Sequence, residues 1–465
     1  MKQTNLNGIL KCHRTILMAT IFAATLVSCK KSWLDAKPNF ALVVPKTPEA
    51  YQALLNNTSL MNINAPGLGV VSDDNLSLSL TTFRALSVQE RSAYTWADTE
   101  VFFGGNVSSD WSNAYNKILQ TNIVIDGLNT IGSMDSEQYR TVMGSALFFR
   151  GLNHFHLAQL FCPAFSISGQ NEQGLPLHLS ANVNLDVAQS TVGDTYNHVL
   201  RDIRTSVRLL PTSVQFPSAP SKAAAYALLS RIYLAMEDYD QAFLYADSCL
   251  KLKSTLLDYS KLSSTATNPF TRFNEEVIFH ENIGNYAAFR TSNLIVASML
   301  YGMYANGDLR RSLYFLPVNG NISFKGSYDG SLLYFGGLAT DEIYLNRAEC
   351  LARKGKITEA YDDLNTLLRT RWLKDAMGRS TYVDKSGFNE LELLKLILEE
   401  RRKELCFRGL RWTDLKRLNR DDRFKISITR EIDGQTYSLS PGSLRYTLPI
   451  DDKEITQGGL KQNKR

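Results

Sequence analysis

The stretch Ile397-Leu-Glu-Glu-Arg-Arg-Lys-Glu-Leu-Cys-Phe-Arg-Gly-Leu-Arg-Trp-Thr-Asp-Leu-Lys-Arg-Leu-Asn419 decides how the rest of the chain is read. It reads as a charged helix that stops at Gly409 and restarts into Trp412-Thr413-Asp414-Leu415. A glycine just past a periodic run is a helix stop, because it adopts the left-handed conformation at little cost. Glu399 and Lys403 stand at i,i+4 and are expected to pair across one turn. No catalytic chemistry requires this order of residues, so the block is read as structural.

Helical patterns dominate outward from there. Asp110 to Leu128 carries Trp111, Tyr115, Ile118, Leu119, Asn122 and Ile125 at helical intervals. Ser136 to Phe161, Asp194 to Leu210, Ser221 to Met236 and Gln241 to Lys253 are four further helices, two of them closed by Pro163 and Pro211. Thr47-Pro48-Glu49 predicts another helix start, with Thr as N-cap and Pro at the first helical position. Ile232 to Ala242 aligns with Cys350 to Ala360, placing Glu237 on Gly355, Tyr239 on Ile357 and Ala242 on Ala360. Such a turn resembles that of a tetratricopeptide helix pair, where a small Ala lets two helices approach closely. The expected class is therefore all-α: helical hairpins forming a scaffold, with long irregular loops and a few short strands.

Two regions resist a helical reading. Asn62 to Asn106 is rich in Ser, Thr, Asn and Gly, and Leu256 to Thr340 mixes turns with β-like runs, Glu276-Val-Ile-Phe-His280 and Ser331-Leu-Leu-Tyr-Phe335. Long irregular segments in a compact chain are usually functional loops. The expected organisation is a single domain over 46–465. Its scaffold covers about 46–61, 107–255 and 341–420, and its ligand-binding segments about 62–106 and 256–340.

The start reads as a lipoprotein export signal. Lys2, Lys11 and Arg14 precede the apolar run Thr15 to Val27, and no acid appears before Asp35. That run has the length of a signal-peptide core and is too short to span a membrane. Leu26-Val27-Ser28-Cys29 looks like a lipobox, so residues 1–28 are expected to be removed, Cys29 to carry lipid, and residues 29–45 to act as a tether. Loss of 1–28 takes three positive charges from the formal +5 and no acid, leaving little net charge. Nothing in that balance points to nucleic acid.

Cys162, Cys249, Cys350 and Cys406 are scattered, without a Cys-x-x-Cys pair or zinc spacing; spacing alone leaves any disulfide open. His154 and His156, two residues apart on a helix, point to different faces and do not make a metal pair. Asp73-Asp74-Asn75 could offer oxygen ligands to a cation, but no calcium loop follows and a turn is the better reading. There is no nucleophile elbow, phosphate loop or dinucleotide fingerprint, and no acidic pair sits in a recognisable catalytic frame. Neither a cofactor nor a metal is expected. Sugar rings stack their C–H faces on aromatics and offer hydroxyls to amides, carboxylates and guanidinium groups. Tyr94, Trp96 and Arg84 have that mixture in the first irregular segment, and Asn285, Tyr286, Arg290, Tyr328 and Asp329 in the second. These eight are the candidate ligand residues, whereas Trp111, Trp372 and Trp412 lie in helical patterns and are expected in the core.

Several pieces, in order, resemble the SusD/RagB family. They are Trp111-x-x-x-Tyr115 with Asn122; Arg150-Gly151-x-x-x-Phe155 with Gly174-Leu-Pro176; Asp341 to Glu349; the Glu400 to Leu418 block; and the closing Leu448-Pro-Ile450, Glu454-Ile455 and Gln462-Asn463. Two departures are Arg408, where many members carry Glu, and the basic Lys30-Lys31 after the lipid Cys. The resemblance implies a non-catalytic, cell-surface lipoprotein of the outer membrane. Such a protein binds an oligosaccharide or other nutrient and pairs with a SusC-like TonB-dependent transporter. A peptide ligand on the same fold and a surface glycoside hydrolase are the alternatives.

Overall fold

The computed structural model describes residues 45–132 and 136–465. Cys29 and the residues before position 45 that the sequence reads as signal and tether lie outside the described residues. Helices of eight residues or more are numbered here: α1 Pro48–Leu55, α2 Ser109–Ile131, α3 Glu137–Phe161, α4 Val192–Leu209, α5 Lys222–Ala235, α6 Tyr239–Leu252, α7 Thr340–Arg353, α8 Ile357–Arg369, α9 Glu390–Glu404 and α10 Arg411–Leu418. None of the described helices is long and apolar enough to cross a membrane.

The starts are chemically specified. The Thr47, Ser108, Ser136 and Ser221 side chains each accept the backbone N–H three residues on. Thr191 with Asp194, and Asn389 with Glu392, form full capping boxes at α4 and α9. Each cap satisfies donors the first helical turn leaves without a carbonyl partner.

From α2 to α8 each helix packs on the next, and α9 returns to pack on α7 and α8. Close approaches occur where side chains vanish. A Cβ at Gly151 of α3 would stand 2.6 Å from Ile203 Cδ1 of α4. The α5–α6 and α7–α8 turns are copies. Each has three residues, and Glu237 and Gly355 share a left-handed φ of 62° and 70°. Asp238 N and Lys356 N donate back to the Tyr233 and Leu351 carbonyls, and Ala242 and Ala360 are fully buried. The alignment drawn from sequence therefore holds in three dimensions, and the fold is the expected helical one.

The polar run Asp341 to Glu349 explains how α7 is fixed at the centre. Asp341 pairs with Arg408, Glu342 with Arg231, Asn346 with Arg401, Arg347 with Asp363, and Glu349 with Arg417 and Arg353. Apart from Arg353 on α7 itself, these partners come from five different parts of the chain, so one helix sets the position of its neighbours. Asn122 does similar work on α2, accepting from Arg150 and donating to the carbonyls of His178 and Ser180. Near the end of the chain, Leu448 N donates to Leu160 O, and Asn463 Nδ2 donates to Phe161 O and Leu448 O. The closing pattern is thus tied to the last turn of α3.

Strands are short and pair two by two: Leu76–Ser77 with Ile295–Val296, Gln173–Pro176 with Gln189–Thr191, Val277–Phe279 with Leu338–Ala339, Phe315–Val318 with Asn321–Phe324, and Ile428–Ile432 with Gln435–Leu439. Asn319-Gly320 and Asp433-Gly434 turn the last two hairpins with all four residues left-handed, as a two-residue hairpin turn requires. The 277–279 strand matches expectation. Ser331–Phe335 does not form a strand; Leu332 and Leu333 stand 64% and 39% exposed, and only an isolated bridge joins Phe335 to Asn282. The segment 62–106 is also more regular than its polar composition suggests. It holds short helices at Leu68–Ser72, Leu80–Ala85 and Val88–Tyr94, the last opened by a Ser87/Glu90 capping box.

Candidate functional site

The segments 285–292 and 332–334 close around a surface cleft of about 430 Å³. Its rim carries the exposed Asn285 and Arg290 together with Thr291, Ser292, Leu332 and Leu333. Its base is Phe289 against Tyr334, ring centroids 4.9 Å apart. Asn293 Nδ2 donates to Ala287 O, and Arg290 O accepts from Asn293 N and Leu294 N, which holds the 285–294 turn in shape. The Tyr334 hydroxyl is buried without a hydrogen-bond partner among the described residues, so a donor or acceptor supplied by a ligand would satisfy it. Amide, guanidinium and hydroxyl groups at the mouth over an aromatic base suit a polyhydroxylated ligand with apolar faces.

The base of the cleft continues into the signature turn. Tyr334 and Phe324 both pack on Phe407, whose φ is 60°, two residues before Gly409 at 77°. Behind that turn lies a buried ionic network. Arg371 donates to Glu276 and Glu404, Arg310 to Asp308, Glu400 and Glu404, and Arg408 to Asp341. The carboxylates of Glu276, Asp341 and Glu404 come within 4.8 Å of one another. Guanidinium groups meet them, so the cluster is a set of ion pairs. Burial, together with its neighbouring carboxylates, raises Glu276 above its usual range against the pull of Arg371. Burial would raise Glu404 too, but Arg371, Arg310 and Arg408 hold it low. Lys403 belongs to the same network, bonding Glu400 at 2.7 Å and Asp308 at 3.2 Å. It does not pair with Glu399 as expected, because Glu399 faces solvent while Lys403 is buried.

Of the eight residues named from sequence, the structure brings Asn285 and Arg290 together in the cleft. Arg84 is exposed elsewhere and pairs with Asp433 at 2.8 Å. The other five are buried, which corrects their reading as exposed loop residues. Trp96 and Tyr94 are each 2% exposed and clasp Arg430, its guanidinium carbon 4.7 and 4.0 Å from their ring centroids. Trp96 Nε1 donates to Ser72 O at 2.9 Å, and Arg430 donates to the carbonyls of Val71, Tyr94 and Asp73. Tyr286 bonds Asp110 at 2.7 Å and Ser109 at 2.9 Å, and its ring lies where a Cβ on Gly67 would have to sit. Tyr328 donates to Glu276 at 2.6 Å beneath the Arg408 guanidinium, and Asp329 is held by Ser331 beside His280. Thr291, Ser292, Leu332 and Leu333 were not singled out from sequence. Two adjacent leucines in a Gly- and Ser-bounded run carried the signal, but that run reads equally well as a strand.

The remaining candidates are accounted for by packing. His154 is fully buried edge-on to His198, ring centroids 4.9 Å apart, and burial holds it well below its usual pKa. Asp74 pairs with Arg411 and Arg402, which lower it to about 2 against its burial. Trp111 and Trp412 are buried as expected, on Phe161 and Tyr446. Cys162, Cys249, Cys350 and Cys406 are free, buried thiols.

Comparison with known proteins agrees with this architecture. Residues 32–234 match a family model described as "Starch-binding associating with outer membrane", and residues 340–464 match the SusD family model. A curated relative, SusD-like protein P2 of Formosa agariphila, is 27% identical over 142 residues, 30% of this chain; the match spans only 26% of that relative's length. A SusD superfamily protein from Bacteroides thetaiotaomicron superposes with a TM-score of 0.70 at 22% identity, covering 90% of this chain and all of that one. Surface glycan-binding protein A from Bacteroides uniformis gives 0.68 at 17% identity, over 90% of this chain and 99% of that one. These two likenesses show the fold: a helical scaffold of the SusD type. The chain belongs to the SusD/RagB family.

Proposed function

We propose that the protein is a non-catalytic, cell-surface nutrient-binding lipoprotein that captures an oligosaccharide in the 285–292/332–334 cleft and passes it to a SusC-like TonB-dependent transporter. The observation that carries the reading is the exposed Asn285 and Arg290 over the Phe289–Tyr334 base, on a scaffold of this family. The family model's description, starch binding at the outer membrane, supports both ligand class and location. Lipidation at Cys29 would supply the anchor. Hydrolysis of a glycosidic bond takes two carboxylates facing each other across a cleft. The cleft described here is lined by no acid, and the clustered Glu276, Asp341 and Glu404 are buried among arginines.

The test is calorimetric titration of the purified protein with a panel of neutral and acidic oligosaccharides, followed by chromatography of the recovered sugar. Saturable binding with the sugar recovered intact is expected. Cleaved sugar, or binding of peptides in place of every glycan, would overturn the reading.

A further inference from the structure

A second, larger cavity lies away from the 285–292 cleft. It has a volume of about 940 Å³ and sits between the loop after α3, the end of α10 and the segments 442–447 and 461–464. Four cations line it, Lys416, Arg420, Lys461 and Lys464, against a single acid, Glu172. Arg420 is engaged by Glu237. Lys461 and Lys464 are exposed, and no carboxylate pairs with either among the described residues.

Lys416 is the unusual member. It is 6% exposed, and its ammonium donates to Gln159 O at 2.8 Å and Cys162 O at 2.7 Å, capping the end of α3. An ammonium has three protons to donate, and these two bonds leave the third without a partner among the described residues. No carboxylate compensates its charge among the described residues, and burial lowers its pKa to about 8. A buried charge without a counter-charge is costly and is ordinarily paired. The α3 carbonyls offset part of that cost, since a cation suits the negative end of a helix. They leave one donor and most of the charge for something in the cavity.

We propose that this cavity is a second binding site, taking an oxyanion carried on a saccharide: the carboxylate of a uronic acid or a sulfate ester. Lys416 is the buried contact and Lys461 and Lys464 the rim. Asn419 and Tyr446, bonded to each other at 2.8 Å, supply amide and aromatic surface beside it. The volume falls within the range of small-ligand pockets. The saccharide part rests on the glycan-binding reading above; the anion part does not.

The test is titration of the full-length mature protein at low ionic strength, where exposed charges are least screened. The probes are sodium glucuronate, sodium sulfate and the neutral methyl glucoside. Glucuronate and sulfate are expected to compete for one site, and methyl glucoside to leave it unoccupied. Lys416→Met and the double variant Lys461→Ala/Lys464→Ala should each weaken anion binding at least tenfold, while Asn285→Ala leaves it unchanged. Lys416→Met also removes the cap from α3, so the exposed double variant carries the test if that protein fails to fold. Absence of anion binding, or binding that survives the double variant, overturns the site. Sulfate binding without glucuronate overturns the uronic-acid form and leaves the sulfate ester as the oxyanion. Anion binding by a protein that takes no neutral glycan would instead leave this site standing and count against the glycan cleft.

Discussion

Glu237 and Gly355 occupy one position in two successive helical hairpins, both left-handed, yet only one of them is glycine. A side chain in that conformation costs about 1 kcal/mol. Glu237 recovers part of it through a 2.5 Å contact with Arg420, a half-exposed pair of the kind worth about 0.5 kcal/mol. Glu237→Gly should therefore raise stability slightly, and Gly355→Ala should lower it by about 1 kcal/mol. Urea denaturation of the two variants checks the pair; stabilisation by both would show that the turns are not equivalent.

Glu349 is fully buried between Arg417, at 2.6 Å, and Arg353, at 3.0 Å. Burial alone would raise its pKa, but the two arginines hold it at about 2. Glu349→Ala leaves Arg417 to Asp414 alone and Arg353 to Asp421 alone, and should cost about 1–3 kcal/mol for the lost charged hydrogen bonds. Denaturant melts of this variant should show that loss, whereas Glu399→Ala, on the solvent face of α9, should show almost none.

Asp73 predicts a pH effect. Burial, with repulsion from Asp74, raises its carboxyl from 3.8 to about 7. The unfolded chain releases this proton near pH 4 and the folded chain only near pH 7, so the group's contribution to stability falls as pH rises through that window. Asp73→Asn abolishes the titration while keeping an oxygen for Asn75 N, which donates to Asp73 at 2.9 Å. The variant should melt higher than the parent at pH 8 and lose that advantage by pH 4. An advantage independent of pH would contradict the assignment.

The proposed anchor and partner are tested together in cells. The Cys29→Ala protein should leave the outer-membrane fraction, and the parent should co-purify with a TonB-dependent transporter from native membranes. Parent protein retained only in a periplasmic complex would count against surface delivery.

The scaffold was readable because its signals are local. Caps such as Ser136 and Ser221, stops such as Pro163 and Pro211, and helical stripes act within a few residues. The same is true of the Glu237/Gly355 repeat. The candidate site was only partly readable because exposure is not local. Tyr94 and Trp96 sit in a polar run, yet Arg430, more than 300 residues later, inserts between them and buries both. Tyr286 and Tyr328 find buried carboxylates on distant segments, Asp110 and Glu276. Asn285 and Arg290 remain exposed on a short turn that no described segment covers. Lys403 illustrates the same limit: helical spacing pointed to Glu399, but Asp308 from a remote loop drew the side chain inward.

The most direct measurement is the affinity of the best oligosaccharide for three proteins: the parent, Asn285→Ala/Arg290→Ala and Trp96→Ala. The double variant should lose about 1–3 kcal/mol of binding, as for side chains whose hydrogen bonds to a ligand are removed, with its melting temperature unchanged. Trp96→Ala should lose about 3–5 kcal/mol of stability as a core truncation and bind normally in its folded fraction. Unchanged affinity in the double variant, with binding abolished in folded Trp96→Ala, would contradict placement of the ligand in the 285–292/332–334 cleft.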